Sequence, residues 1–269
     1  MQCAYREKLI YGGDWIFGAA YPVFRKTSAG KRRGKFRETS EVQKRNNEWH
    51  STEKLKAYIH ENFRKGDYVI SPTFDNFTLP ENEDEFKRII RNYIARLKNL
   101  YKKAKTELRY IYVKEYGVSG RPHLHIFLPQ LPRESGFTRD DVEAVWGKTR
   151  INSKRLQFDH CGVIDLAEYL GKERKSGERR FVCSSNVKKP RESANSSAKP
   201  YSRKELCAIE EMGNPQAFFA KRYPGYWLSE FPKIYYNAVN GSYYMTFVLY
   251  KPDSDNLEWY VKNKRGYFE

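Results

Sequence analysis

The stretch LRYIYVKEYGVSGRPHLHIFLP, residues 108–129, holds two β-rich runs around a turn bearing glycine and serine. Branched and aromatic side chains dominate both runs, as suits a pleated, half-buried surface. With the loop at 117–121 and the runs folded symmetrically about it, residue 116 faces 122 and 115 faces 123. Side chains alternate across a strand, so His123 and His125 share one face and Leu124 takes the other. Directly opposed residues lie on the same face with Cβ atoms about 5 Å apart, which brings Glu115 beside His123. Two imidazoles and a carboxylate make an open three-ligand set for one divalent cation, with positions left for water and a phosphate oxygen. Metal binding explains why one strand carries two of the chain's five histidines where valine or isoleucine would pack better.

Outward from this hairpin, the clearest helix spans 83–103. Phe86, Ile89, Ile90, Tyr93, Ile94, Leu97, Leu100 and Tyr101 form one stripe, with charges opposite. GDYVISPTF (66–74) reads as a strand, STEKLKAYIHENF as a helix capped by Ser51, and TRDDVEAVWG (138–147) as a short helix capped by Thr138. VIDLAEYLGKE (163–173) is another helix, with Val163, Leu166, Ala167 and Leu170 on one face. Asp165, Tyr169 and Lys172 fall on the opposite face. A phenol with pKa about 10 is a poor nucleophile at neutral pH; a Lys⁺ three residues on favours the phenolate and neutralises a phosphate. The pattern predicts an α+β domain, a central antiparallel sheet with flanking helices.

Toward the ends, residues 1–50 are basic and poor in regular pattern. SSNVKKPRESANSSAKP (184–200) reads as a linker. SRKELCAIEEMG carries a capping box, Ser202 with Glu205. Two aromatic strands near 233–238 and 242–250 meet at an Asn-Gly hairpin turn. The expected organisation is a basic N-terminal arm and helix (1–66), a catalytic domain (67–192) and a C-terminal extension of helix plus hairpin (193–269).

Lys and Arg number 50 against 33 Asp and Glu, a net charge of +17. That balance predicts a polyanionic partner. No apolar run approaches the ~20 residues of a membrane span, and the N-terminus lacks the apolar core of a signal peptide. The expectation is a soluble, cytoplasmic protein that binds nucleic acid and no membrane. The four cysteines form no C-x-x-C pair, which fits a reducing compartment. Aromatic residues make up 16% of the chain, and most are read as core filling rather than base-stacking groups. Lys31, Arg32 and Arg33 lie in a segment that reads equally as a solvated loop or a phosphate-binding arm. WGKTR (146–150) is not a phosphate-binding P-loop, because position 142, where the motif needs glycine, is valine.

EYGVSGRPHLHIFL followed by VIDLAEYLGK resembles the HUH endonucleases, the rolling-circle replication initiators of plasmids and small phages. YVISPTF stands where that family has its first motif. The flanks ETSEVQKRNNEWHSTEKLKAYIHENF and SSNVKKP are similar to a phage and integrative-element branch of replication-associated proteins. The resemblance covers roughly 35–190 and implies a ferredoxin-like or RNA-recognition-like core. It implies Mg²⁺ or Mn²⁺ held by Glu115, His123 and His125, nucleophilic attack by Tyr169 on single-stranded DNA, and support from Lys172, which Asp165 orients. Glu173 stands where a second tyrosine would lie, so the resemblance is to the single-tyrosine subclass. Arg121, Arg174, Lys175, Arg179, Arg180, Lys188 and Lys189 would hold flanking phosphates. The partner implied is an origin hairpin, with host replication proteins besides. A single-tyrosine transposase or relaxase would share this chemistry, and a non-catalytic basic DNA- or RNA-binding protein would share only the charge.

Overall fold

A computed structural model describes residues 4–23, 41–116, 120–147, 151–163, 181–193, 201–238 and 241–255. In chain order its elements are β1 (Ala4–Gly12), β2 (Trp15–Val23), α1 (Glu41–Asn62), β3 (Tyr68–Pro72), α2 (Glu83–Lys103), β4 (Ile111–Tyr116), β5 (Pro122–Leu128), α3 (Arg139–Ala144) and β6 (Ile151–Arg155). Then follow β7 (Phe158–Asp159), β8 (Gly162–Val163), β9 (Val182–Cys183), β10 (Arg191–Glu192), α4 (Arg203–Glu211), α5 (Gln216–Arg222), β11 (Trp227–Leu228), β12 (Lys233–Asn237) and β13 (Ser242–Tyr250). Both sheets of more than two strands are antiparallel, and the fold is α+β as the sequence predicts. Among the described residues, no helix is long and apolar enough to cross a membrane.

The chain divides into two compact units. One comprises Asn62–Phe158 and Val163–Lys188 and contains the H-x-H hairpin. Its five-stranded sheet runs in the order β6-β3-β5-β4-β9. The run β3-α2-β4-β5-α3-β6 is therefore a βαββαβ unit in which the third strand sits between the first and second, the ferredoxin-like arrangement. α2 forms where the sequence places it. Asn82 accepts a hydrogen bond from the Glu85 amide at 2.9 Å, three acidic residues fill the first turn, and Lys102 and Lys103 close the last. All eight residues of its predicted stripe are buried, against Tyr68, Ile70, Leu124, Ile126 and Leu128 of the sheet and Val142 and Trp146 of the α3 region. α3 begins with a Thr138–Asp141 capping box.

The other unit comprises Met1–Glu61, Asp159–Gly162 and Lys189–Glu269. Its sheet runs β10-β1-β2-β13-β11, with β12 also on β13. Here the sequence reading needs correction. Residues 1–50, expected to lack regular pattern, hold the β1–β2 hairpin. Gly12 pairs with Trp15 across a two-residue turn whose first central residue, Gly13, has φ 54°, as a type II′ turn requires. Tyr5, Glu7 and Leu9 alternate inward, but the charged Glu7 masks the strand period. α1 runs from Glu41 straight through Ser51, since nothing from 41 to 50 breaks a helix. The expected linker supplies β10, whose Arg191 and Glu192 pair with Tyr11 and Ile10. The β12–β13 loop spans four residues rather than two, because Asn237 pairs with Ser242. α4 begins with the predicted Ser202–Glu205 capping box. Gly18 faces Phe247 on β13, and a Cβ there would lie 2.2 Å from the phenyl ring, so only glycine admits the ring.

α2 ends in a Schellman motif: Thr106 N–H bonds the Tyr101 carbonyl at 3.0 Å and Lys105 N–H the Lys102 carbonyl at 3.1 Å. The left-handed position is Lys105, φ 54°. Glycine removes the Cβ penalty there, so Lys105→Gly is expected to stabilise this unit by about 0.5–1 kcal/mol, read as a higher urea midpoint at unchanged slope.

Candidate metal and DNA site

The β4–β5 register sets Glu115 opposite His123, Tyr116 opposite Pro122 and Val113 opposite His125. This is the pairing read from the sequence. Even-numbered residues of β5 pack under α2. Glu115, His123 and His125 therefore occupy the far face, together with Ile111, Val113 and Phe127. That face is buried as well: Ile111 and Phe127 are fully enclosed, and the Phe63 ring lies 6.2 Å from Phe127. At its end Glu115 is only 1% exposed, His125 is buried and His123 is half-buried.

Glu115 Oε2 lies 3.5 Å from His125 Nε2. The other ring nitrogen, Nδ1, is 2.8 Å from Ser71 Oγ, at the end of β3. The serine oxygen fixes the ring plane and, by accepting from Nδ1–H, leaves the Nε2 lone pair directed toward Glu115. Glu115 Oε2 accepts no hydrogen bond among the described residues. A carboxylate oxygen buried in this way, beside an oriented imidazole, suits a divalent cation that takes mixed oxygen and nitrogen donors. The three do not all lie within 4.8 Å of one another; among the described residues the group that does is Asp159, His160 and Cys161.

On the α2 side of β4, Lys114 and Tyr116 both donate to Glu83 in the first turn of the helix. Burial alone would raise the Glu83 carboxyl, but these hydrogen bonds outweigh it and hold the group below the usual carboxylate range. They lock the end of β4 that presents Glu115. Arg121, just before β5, donates to Asn76 Oδ1 in the loop after β3. Lys188 and Lys189 are exposed, and the Lys188 backbone is pinned at both polar groups by the Asn62 side chain, at 2.7 and 2.8 Å. Tyr169, Lys172, Asp165, Arg174, Lys175, Arg179, Arg180, Lys31, Arg32 and Arg33 lie outside the described residues. In this unit burial pushes the phenols of Tyr93, Tyr101, Tyr110 and Tyr112 up, the wrong direction for a nucleophile. Trp146 of WGKTR is a core residue in edge contact with Phe74 and Tyr93.

The sequence reading missed Ser71 and Asn76. Ser71 had a signal: it is two residues from Val69 and so shares the histidine face. Asn76 had none, since its contact depends on loop geometry.

Glu115→Gln keeps the shape of the side chain and removes its buried charge. It is expected to raise the stability of the protein in chelator by about 1 kcal/mol, seen as a higher denaturation midpoint; a fall would assign the carboxylate a structural role.

Residues 72–174 match the model of a family of replication-associated proteins, the ORF2 family. No curated protein and no solved structure matches the chain. The matched segment begins at the last residue of β3 and takes in Glu115, His123, His125 and Tyr169. Over these residues the chain is similar to replication-associated proteins, and that likeness supports a role in DNA replication with DNA as the partner.

Proposed function

We propose that the chain is a rolling-circle replication initiator that nicks and rejoins single-stranded DNA at its origin through Tyr169. The observation that supports this most is the buried Glu115 carboxylate facing His123 across the hairpin, 3.5 Å from a histidine that Ser71 orients. A nitrogen and oxygen donor set at the end of an otherwise apolar sheet face has no packing advantage; it fits a cation.

Glu115, His123 and His125 would hold Mg²⁺ or Mn²⁺, which when bound polarises the scissile phosphate and offsets its charge. Tyr169 supplies the nucleophile. Its oxygen bonds to phosphorus as the phosphorus–O3′ bond breaks, giving a 5′-phosphotyrosine and a free 3′-hydroxyl. The phenol loses its proton to water and the departing 3′ oxygen gains one. Lys172 stabilises the phenolate and the charge gathering on the phosphoryl oxygens. Because the phosphodiester is exchanged for another phosphoester, the reverse attack by a 3′-hydroxyl rejoins the strand without ATP. Arg121, Lys188 and Lys189, with Arg174, Lys175, Arg179, Arg180 and the arm at Lys31, Arg32 and Arg33, hold the flanking phosphates. An origin hairpin is the natural substrate, since it presents unpaired bases at a defined place, and host replication proteins would extend the 3′ end.

The test incubates the full chain with a pool of single-stranded oligonucleotides bearing randomised hairpin loops, in Mg²⁺ or Mn²⁺. A protein–DNA adduct that survives denaturant is expected. Tyr169→Phe, Glu115→Ala or chelator each abolish it, with losses of at least about 100-fold. Mass spectrometry of the DNA-bearing peptide should return Tyr169. An adduct that persists in Tyr169→Phe would move the nucleophile elsewhere; DNA binding with no adduct in either metal would leave a basic binding protein. Ser71→Ala is expected to weaken Mn²⁺ binding about 10- to 100-fold, measured by calorimetry independently of any cleavage.

A further inference from the structure

The loop that leaves β3 holds two phenylalanines in opposite situations. Phe74 is buried against Phe86 and Trp146, with ring centroids 5.7 and 5.5 Å away. Three residues later Phe77 is 98% exposed. Single apolar residues are common on protein surfaces; Phe77 differs in being almost wholly in water on an ordered backbone. Asp75 Oδ1 accepts hydrogen bonds from the Phe77 amide at 3.0 Å, the Thr78 amide at 2.8 Å and the Thr78 hydroxyl at 2.8 Å. The Asp75 amide donates to Thr78 Oγ1 at 3.2 Å. The buried Phe74 ring and this Asp-centred turn together leave the Phe77 ring turned outward.

The position of the ring matters as much as its exposure. β3 and β5 are antiparallel, so the end of β3 and the start of β5 lie at one edge of the sheet. Asn76 accepts from Arg121, which joins the loop to the residue before β5. Arg121 precedes His123 by two residues, about 7 Å along an extended chain. An aromatic face and a guanidinium thus stand at the sheet end that carries Glu115 and His123.

We propose that Phe77 is a stacking platform for one unpaired base of a single strand, with Arg121 on a neighbouring phosphate, so that the strand is fixed beside the Glu115–His123–His125 site. This rests on the nuclease reading above and names the groups that would position its substrate. Aromatic rings take any base by its π-face, and a guanidinium reads charge; the pair therefore holds a strand in place without choosing its sequence. Duplex DNA, with its bases stacked internally, offers Phe77 nothing.

The experiment measures fluorescence anisotropy of a short labelled single strand of mixed sequence and of its duplex, with the full chain and with Phe77→Ala, Phe77→Trp and Arg121→Gln. Phe77→Ala is expected to weaken single-strand binding about 5- to 100-fold and to leave duplex binding unchanged. Phe77→Trp should restore single-strand binding. Arg121→Gln should reduce the slope of log affinity against log salt by about one. Unaltered thermal midpoints show that the variants are folded, as expected for so exposed a side chain. Equal single-strand affinity of wild type and Phe77→Ala overturns the stacking role and leaves the nuclease reading standing. Wild-type protein that binds no single strand overturns the nuclease reading itself.

Discussion

The register of one hairpin governs this site. With Glu115 opposite His123, both fall on the face away from α2. A slip by one residue would turn every side chain of one strand to the other face. It would send His123 and His125 toward the helix and expose Leu124 and Ile126 on the far side. Both faces resist that slip. Leu124, Ile126 and Leu128 are enclosed under α2, and Ile111, Val113 and Phe127 are enclosed on the opposite side. Lys114 and Tyr116 add a polar check by meeting Glu83 at the start of the same helix. Apolar packing thus fixes the positions of polar donors it never touches.

Glu115 is held at a cost. Moving a carboxylate out of water is expensive unless it is paired and hydrogen-bonded, yet Oε2 of this one faces an imidazole at 3.5 Å and accepts no hydrogen bond among the described residues. Glu83, which meets the other face of the same strand, shows the usual arrangement, a carboxylate satisfied by a lysine and a phenol and stabilised by them. The two acids differ only in what surrounds them. The satisfied one anchors the helix to the strand; the unsatisfied one retains acceptor capacity for a cation. The large apolar interface beneath α2 supplies the stability against which this local cost is set.

How much of this was legible in the sequence depended on the range over which the information acts. The register needed only alternation and a short loop, and α2 needed only a stripe of eight apolar residues between an asparagine cap and two lysines. Both are local. β1 and β2 escaped because Glu7 breaks the inward apolar pattern, and it is tolerated there through Arg222 at 3.3 Å and Tyr223, partners more than two hundred residues away. β10 is two residues long and exists because β1 offers an edge. Ser71 is the instructive case. Its parity on β3 was readable, but its bond to His125 follows from β3 lying beside β5, a neighbour relation set by the whole sheet order.

The same point bears on where the likeness to replication-associated proteins begins. The matched segment starts at residue 72, after all but the last residue of β3. Yet β3 lies between β6 and β5 in the sheet, and Tyr68 and Ile70 belong to the core that holds α2. Ser71, one residue before the match, orients His125 inside it. A fold boundary is set by hydrogen-bonded neighbours and shared core, whereas a similarity boundary is set by how strictly residue types are specified. A strand buried on both faces accepts many apolar residues at most positions, and its sequence carries little that marks it. The unit that functions therefore starts no later than β3. Any fragment cut at the edge of the recognisable motif would lose a central strand together with the serine that fixes a metal-binding histidine.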